Sequence, residues 1–283
     1  MIGLHARRSH VSIRAYARRF PERPLVVTLT GTDLYRDILV DAAAKESLAL
    51  ATRLVVLHEL GAQALPREHR AKTQVIVQSA RSVAGARPLA GCFEVSVSGH
   101  LREEKDPFRA AAALSFLPAA SRVRVTHLGG ALSEAMTAEA REWMAREPRY
   151  RWLGELPHGQ ALRMLARSRL MVISSRMEGG ANVVCEALAC GVPVIASRVP
   201  GNVGMLGARY PGYYPFGDER KLARLISRAE REVTFYRMLA EECATRARLV
   251  APARERQGLK ALVLSAVRGS RGFRQPSRAK AAA

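Results

Sequence analysis

The chain has 283 residues, 48% of them hydrophobic. That is enough for a substantial core in one large or two modest domains of about 100 to 200 residues each, which excludes a disordered or fibrous protein. Its formal net charge is +20, with 45 lysines and arginines against 25 acids, so nucleic acid, an acidic membrane and a phosphorylated substrate each have to be weighed.

Residues 1–24 contain six arginines against the single acid Glu22. Short β-branched runs predict strands at 2–4, 25–29, 54–57 and 75–78, and apolar periodicity predicts helices near 11–20 and 41–51. Residues 79–91 (SARSVAGARPLAG) are small, non-periodic and contain glycine and proline, as in an interdomain linker. Beyond it, strands are expected at 93–98, 123–128, 150–153, 170–174 and 194–197, with helices at 108–116, 133–146, 159–166, 181–189 and 218–230. This alternation predicts an α/β protein with parallel sheets covered by helices. In such sheets ligands bind beyond the carboxyl ends of the strands. Residues 256–283 hold seven basic residues and no acid, and 269–283 read as a solvated basic tail. The two termini thus carry more than half of the positive excess. Only six of the basic residues are lysine, a skew that fits either codon composition or guanidinium forks that hold phosphates. The domains expected are 1–89, a first domain with the linker; 90–268, a second domain with closing helices; and the tail, 269–283.

Cys92, Cys185, Cys190 and Cys243 show neither a disulfide framework nor zinc-ligand spacing, which fits a reducing cytoplasm. The most apolar runs are far shorter than the ~20 residues of a membrane helix, so no stable membrane insertion is expected. The start, MIGLHARRS, lacks the apolar segment of an export signal.

The most informative stretch is 170–197, LMVISSRMEGGANVVCEALACGVPVIAS. Its strand, glycine loop and helix describe a phosphate site: Gly179 and Gly180 allow close backbone approach, and a helix starting near Ala181 and Asn182 points its free amides at the ligand. Glu178 and Glu186 frame that helix, with seven residues between them. Carboxylates beside a diphosphate make sense as acceptors from sugar and ribose hydroxyls. A solvated helix position is the alternative for Glu186, weakened by its apolar neighbours Val183, Val184, Ala187 and Leu188.

This stretch resembles the E-x7-E signature of the retaining, GT-B-fold nucleotide-sugar glycosyltransferases of family 4, matching at Ser175, Glu178, Gly179, Glu186, Ala187, Ala189, Gly191, Pro193 and Val194. Residues 93–107, FEVSVSGHLREEKDP, resemble the family's G-R-L-x-x-x-K turn at Gly99, Leu101 and Lys105, with His100 in place of the arginine and Arg102 two residues on. The resemblance implies a diphosphate clamp of Lys105 with Arg102 or His100, and contact of the nucleotide base with Gly154, Glu155 and Leu156. It implies two facing, doubly wound Rossmann-like domains, a GT-B-like architecture, and front-side attack with retention. No Asp-x-Asp occurs, which argues against the metal-dependent GT-A alternative, so no metal is expected; the nucleotide sugar is a cosubstrate, and no bound cofactor is expected beside it.

The segments LHARRS (4–9), TGTDLYRD (30–37) and EGGANVV (178–184), with 99–111 and 200–207, narrow the resemblance to the selenosugar synthase family of selenoneine biosynthesis, over about residues 1–250. That family transfers a sugar, typically N-acetylglucosamine from its UDP donor, to the selenium of selenophosphate. A selenium anion needs no general base, whose usual value is ~10² to 10⁴-fold. It needs cationic and hydroxyl donors, for which His5, Arg7, Arg8, Thr30, Thr32 and Arg36 are candidates. Arg7 and Arg8 read equally as exposed helix-start residues, and Asp33 as a helix N-cap. The roles implied are stabilisation of the leaving UDP by Lys105 and Arg102, orientation of the sugar by Glu178 and of the ribose by Glu186. A GT-B first domain ordinarily opens with a strand, a glycine loop and a helix before the LHARRS-like strand, so the first domain is expected to lack its opening portion, either through a misplaced start or truncation, with Ile2 and Val26 then less covered than usual, or as a degenerate member.

Other readings are a family 4 transferase with a hydroxyl acceptor, such as a sugar, lipid or small metabolite, and a nucleic-acid-binding protein. The latter has only the net charge in its favour and no recognition motif, so no nucleic-acid partner is expected. A dehydrogenase lacks G-x-G-x-x-G after a first strand.

Overall fold

The computed structural model describes residues 1–272 as two compact units, one formed by residues 1–76 with the segment from Glu255 onward and the other by Val77–Arg254. In the first, strands β1 (Ile2–Leu4), β2 (Val26–Thr28), β3 (Arg53–Val56) and β4 (Thr73–Val75) form a parallel sheet in the order β1-β2-β3-β4. Alternate residues face opposite sides of a strand, and the two sides are covered by different material. Val27, Leu54 and Val56 pack with Ile13, Leu34 and Leu48 in the main core of the unit. Val26 and Val55 pack on the other side with Ile76 and Leu262. Leu262 lies in the long helix Pro252–Gly272.

That helix corrects two expectations. Residues 255–268 pack with the first unit, not the second, because Leu262 closes the open side of the first sheet. The chain divides at Ile76, ahead of the 79–91 stretch, which holds no regular element. Of the expected tail, 269–272 continue the helix, and the remainder lies outside the described residues. Val26, expected to be undercovered, is 3% exposed for the same reason. Ile2 and Leu4, on the edge strand β1, are 53% and 64% exposed.

In the second unit, β5 (Phe93–Ser98), β6 (Val123–Leu128), β7 (Tyr150–Trp152), β8 (Leu170–Ile173), β9 (Val194–Ser197) and β10 (Tyr213–Tyr214) form a parallel sheet in the order β10-β9-β8-β5-β6-β7. The central strands β8 and β9 are buried along their whole length, as continuous Leu/Ile/Val/Ala runs require when helices cover both faces. The chain runs outward from β5 to β7, then returns to the other side of β5 for β8. The carboxyl ends of β5 and β8, adjacent in the sheet, mark the point where the strand order reverses, and open α/β sheets bind ligands at such points.

Candidate active site

The two loops leaving β5 and β8 are stitched to each other. After Ser98 the chain turns at Gly99, whose φ is +154°, a value that favours glycine. A Cβ on Gly129 would lie 2.1 Å from the Gly99 carbonyl oxygen, so only glycine lets the ends of β5 and β6 approach this closely. Residues Glu103–Lys105 form a single 3₁₀ turn closed by Asp106 in the left-handed region. Asp106 is held there by Arg109 at 2.8 Å, and this carboxylate is the main reason the guanidinium pKa is raised, with Glu219 adding to it. Ser174, just after β8, donates to the carbonyls of Lys105 (3.0 Å) and Asp106 (2.8 Å), and the Arg176 amide donates to Glu104 O (2.9 Å).

This stitching brings two of the three predicted catalytic side chains together. Lys105 Nζ donates to Glu178 Oε1 at 2.5 Å, with the Glu178 side chain only 8% exposed. The Glu178 backbone is pressed against Gly201, where a Cβ would stand 2.0 Å from Glu178 O. Arg102 Nε is buried and has no hydrogen-bond partner among the described residues, an unsatisfied donor of the kind an anionic oxygen satisfies.

Gly180 has a φ of +149°, which leads the chain into the helix Asn182–Ala189. No side chain caps this helix, so its first amides stay free for a ligand. Glu186, 7% exposed, accepts on Oε1 from Asn182 Nδ2 (2.9 Å) and His158 Nε2 (2.8 Å). A cavity of about 740 Å³ opens between these elements, bounded by Gly99, His100, Arg102, Lys105, Leu156, Asn182 and Glu186 of the predicted residues. Glu178, Gly179, Gly180 and Ala181 are not among its lining residues; Glu178 is linked to it through Lys105, and the other three precede the lining residue Asn182. Glu155, expected with Leu156 against the nucleotide base, also lines it, as does His158, whereas Gly154 does not. The region that held the donor expectations is thus one cavity lined by the cations Arg102 and Lys105 and by the carboxylates Glu155 and Glu186.

The acceptor candidates lie in the first unit, at the carboxyl ends of β1 and β2. His5 sits in the left-handed region, φ +69°, and is 7% exposed. Its Nδ1 accepts from the Arg8 amide (3.3 Å), so the ring proton is on Nε2, which donates to Thr32 Oγ1 (3.0 Å). Asp33 is completely buried. Its Oδ1 accepts from the Thr30 amide and hydroxyl, both at 2.8 Å, and its Oδ2 from the Ala6 amide at 2.9 Å. Asp33 therefore staples the ends of β1 and β2, and the N-cap of the π-helical turn Asp33–Asp37 is Thr32. Asp37, also buried, lies 3.9 Å from His5 Nε2 and accepts from Arg36 Nε (3.0 Å). His5, Thr30, Thr32 and Arg36 thus gather around two buried aspartates. Arg7 is directed to Asp41 (3.0 Å), and Arg8 is exposed.

A family model described as glycosyl transferases group 1 matches residues 93–248, a span that contains the whole cavity. The chain belongs to the group 1 glycosyl transferases. Glycogen synthase of Mycobacterium tuberculosis is 34% identical to this transferase over 125 residues, which are 42% of this chain and 29% of that protein; the match spans less than a third of the relative. Among solved structures, Anabaena HepE in complex with UDP-glucose superposes with a TM-score of 0.72 at 17% identity, covering 96% of this chain and 78% of that one. A UDP-forming α,α-trehalose-phosphate synthase from Burkholderia vietnamiensis gives 0.79 at 14% identity, covering 97% and 74%. These likenesses establish the GT-B fold. Among the described residues of this transferase, no group of three or more His, Cys, Asp or Glu is placed to hold a metal ion, and no helix is long and apolar enough to cross a membrane.

Sequence reasoning missed His158 in this transferase, because its partner Glu186 is 28 residues away. It also missed Asp37 and the pair Tyr35–His58 (3.1 Å). Burial pushes the His58 pKa down to about 4 and that of Tyr35 up to about 12.

Proposed function

We propose that this group 1 transferase binds UDP-N-acetylglucosamine in the cavity at the ends of β5 and β8 and transfers the sugar to the selenium of selenophosphate. The C1–O bond to UDP breaks, its electron pair leaving on the β-phosphate oxygen, and a C1–Se bond forms from a selenium lone pair. The observation that carries the donor half is the meeting of Lys105 and Glu178 at 2.5 Å beside the unpartnered Arg102 Nε. In this reading Lys105 and Arg102 neutralise the departing diphosphate, Glu178 orients the sugar, and Glu186 accepts from the ribose hydroxyls. No step calls for a metal, because the neutralising charge is on side chains.

Two features support the selenium acceptor. The TGTDLYRD and LHARRS blocks carry the family resemblance, and His5, with Nδ1 already accepting from the Arg8 amide, is a donor and not a base. One observation favours a hydroxyl acceptor as a second reading: Asp33 and Asp37, buried beside His5, oppose a multiply charged anion. Measuring UDP release with selenophosphate, thiophosphate, inorganic phosphate and simple alcohols separates the two. Release only with alcohols would overturn the selenium reading, and no release or UDP binding with any sugar nucleotide would overturn the donor assignment. With selenophosphate as acceptor, replacing Arg7 and Arg8 by alanine should raise its apparent KM much more than that of the sugar nucleotide.

A further inference from the structure

His127 and Tyr150 are polar residues in the core of the second unit, 1% and 2% exposed, on neighbouring strands β6 and β7. Burying two such groups is costly unless each is paired. The Gly99 carbonyl can only accept, so His127 Nε2 carries the proton and donates to it at 3.1 Å. His127 Nδ1 is then the acceptor, and the Tyr150 hydroxyl donates to it at 3.0 Å. Burial also pushes the His127 pKa down to about 4, which keeps the ring neutral and this tautomer in place. The pair therefore forms a directional chain that begins in the core and ends on the first peptide of the candidate diphosphate turn.

Because a trans peptide is planar, the carbonyl of Gly99 and the amide N–H of His100 point to opposite sides. With the carbonyl drawn toward the buried imidazole and Gly129 packed against the same peptide, the His100 amide is turned away from the core. Gly99 and His100 both border the cavity. We infer that His127, oriented by Tyr150, is a positioning residue that presents the His100 backbone amide as a hydrogen-bond donor to the diphosphate of the sugar nucleotide. This rests on the proposed donor reading. It assigns to a core histidine the orientation of a main-chain donor at the edge of the cavity, a contact that is independent of the side chain at position 100.

The test compares the full chain with its His127→Leu, His127→Gln and Tyr150→Phe variants by calorimetric titration with UDP and, separately, with uridine. One hydrogen bond to a charged group corresponds to about tenfold to a hundredfold in affinity. His127→Leu should weaken UDP by that factor and leave uridine within about twofold. His127→Gln, whose amide can still donate to Gly99 O, should recover most of the loss, and Tyr150→Phe should fall between. A general structural role would lower UDP and uridine affinity together, or give a Gln variant no better than Leu. Either outcome overturns the inference, as does unchanged UDP affinity in all three variants. Wild-type chain that binds neither UDP nor uridine overturns the nucleotide-sugar reading itself, a result recognisable before any variant is made.

Discussion

Replacing Lys105 by alanine should cost both stability and activity, and the two losses are separable. The Glu178 side chain is 8% exposed and that of Lys105 21%, with 2.5 Å between the charged atoms. Removing one partner of a buried pair costs roughly 3 to 5 kcal/mol, because the remaining charge is left without compensation. Here a fifth of the lysine is in solvent and the carboxylate can draw in water, so the expected cost is about 2 kcal/mol, or roughly 5 °C in Tm for a unit of this size. Glu178→Gln leaves a lysine that can turn outward, and should cost less than about 1 kcal/mol. The double variant Lys105→Ala/Glu178→Gln contains no unpaired charge and should regain most of the lost Tm. Activity should behave otherwise: sugar transfer followed by UDP release should fall at least ~10²-fold in Lys105→Ala and remain there in the double variant, in the range for a lost transition-state contact. A Lys105→Ala variant that melts with the wild type would refute the reading of a compensated buried charge. A double variant that recovers turnover with its Tm would make Lys105 structural and not catalytic.

Three further outcomes follow from the same geometry. Glu186→Gln keeps an oxygen for Asn182 and His158 but removes the charge, and should lower kcat/KM for the sugar nucleotide by about 10²-fold in steady-state assays, the worth of two charge-assisted hydrogen bonds. Gly129→Ala combines a φ of +145° with a Cβ 2.1 Å from Gly99 O, and should destabilise the second unit by more than about 3 kcal/mol in a thermal melt. The third concerns pH. His58 and His127 each have a folded pKa of about 4, below the ordinary 6.5 because burial disfavours the charged ring. Between those values the unfolded chain binds more protons, so the stability from the neutral rings is complete above pH 6.5 and is lost as the pH falls toward 4. Up to about 3 kcal/mol per histidine is expected in urea unfolding at pH 7 against pH 4. His127→Leu should flatten that slope for the second unit alone.

The strands β5, β6 and β9 fall at the boundaries the sequence predicts, because each is an uninterrupted apolar or alternating run whose local period is decisive. The helix Pro200–Leu206 went unpredicted, and Val233–Ala247 and Pro252–Gly272 were expected only as closing helices without bounds. Their apolar faces are matched to surfaces distant in the chain, as with Leu262 against Val26 and Val55. Arginine had the same ambiguity. Arg246 donates to the carbonyls of Met205 and Gly204, where it secures the end of the Pro200–Leu206 helix; such uses of the fork look in sequence just like a phosphate contact.

The proposed donor and acceptor halves differ in legibility for one physical reason. A phosphate-binding loop works through glycine φ angles and main-chain amides, and these requirements are written within about ten consecutive residues. The cluster around His5 works through side chains whose commitments are set elsewhere: Asp33 is consumed by donors from Ala6 and Thr30, and His5 Nδ1 by the Arg8 amide. A list of hydroxyls and cations near strand ends therefore overstates what an acceptor can use. After those internal bonds and the pairing of Arg7 with Asp41 and of Arg36 with Asp37, the capacity that remains is the Thr32 hydroxyl, polarised by His5 Nε2, together with the exposed Arg8. Acceptor selectivity should accordingly respond more to Thr32 and Arg8 than to Thr30, whose hydroxyl and amide both serve the Asp33 staple.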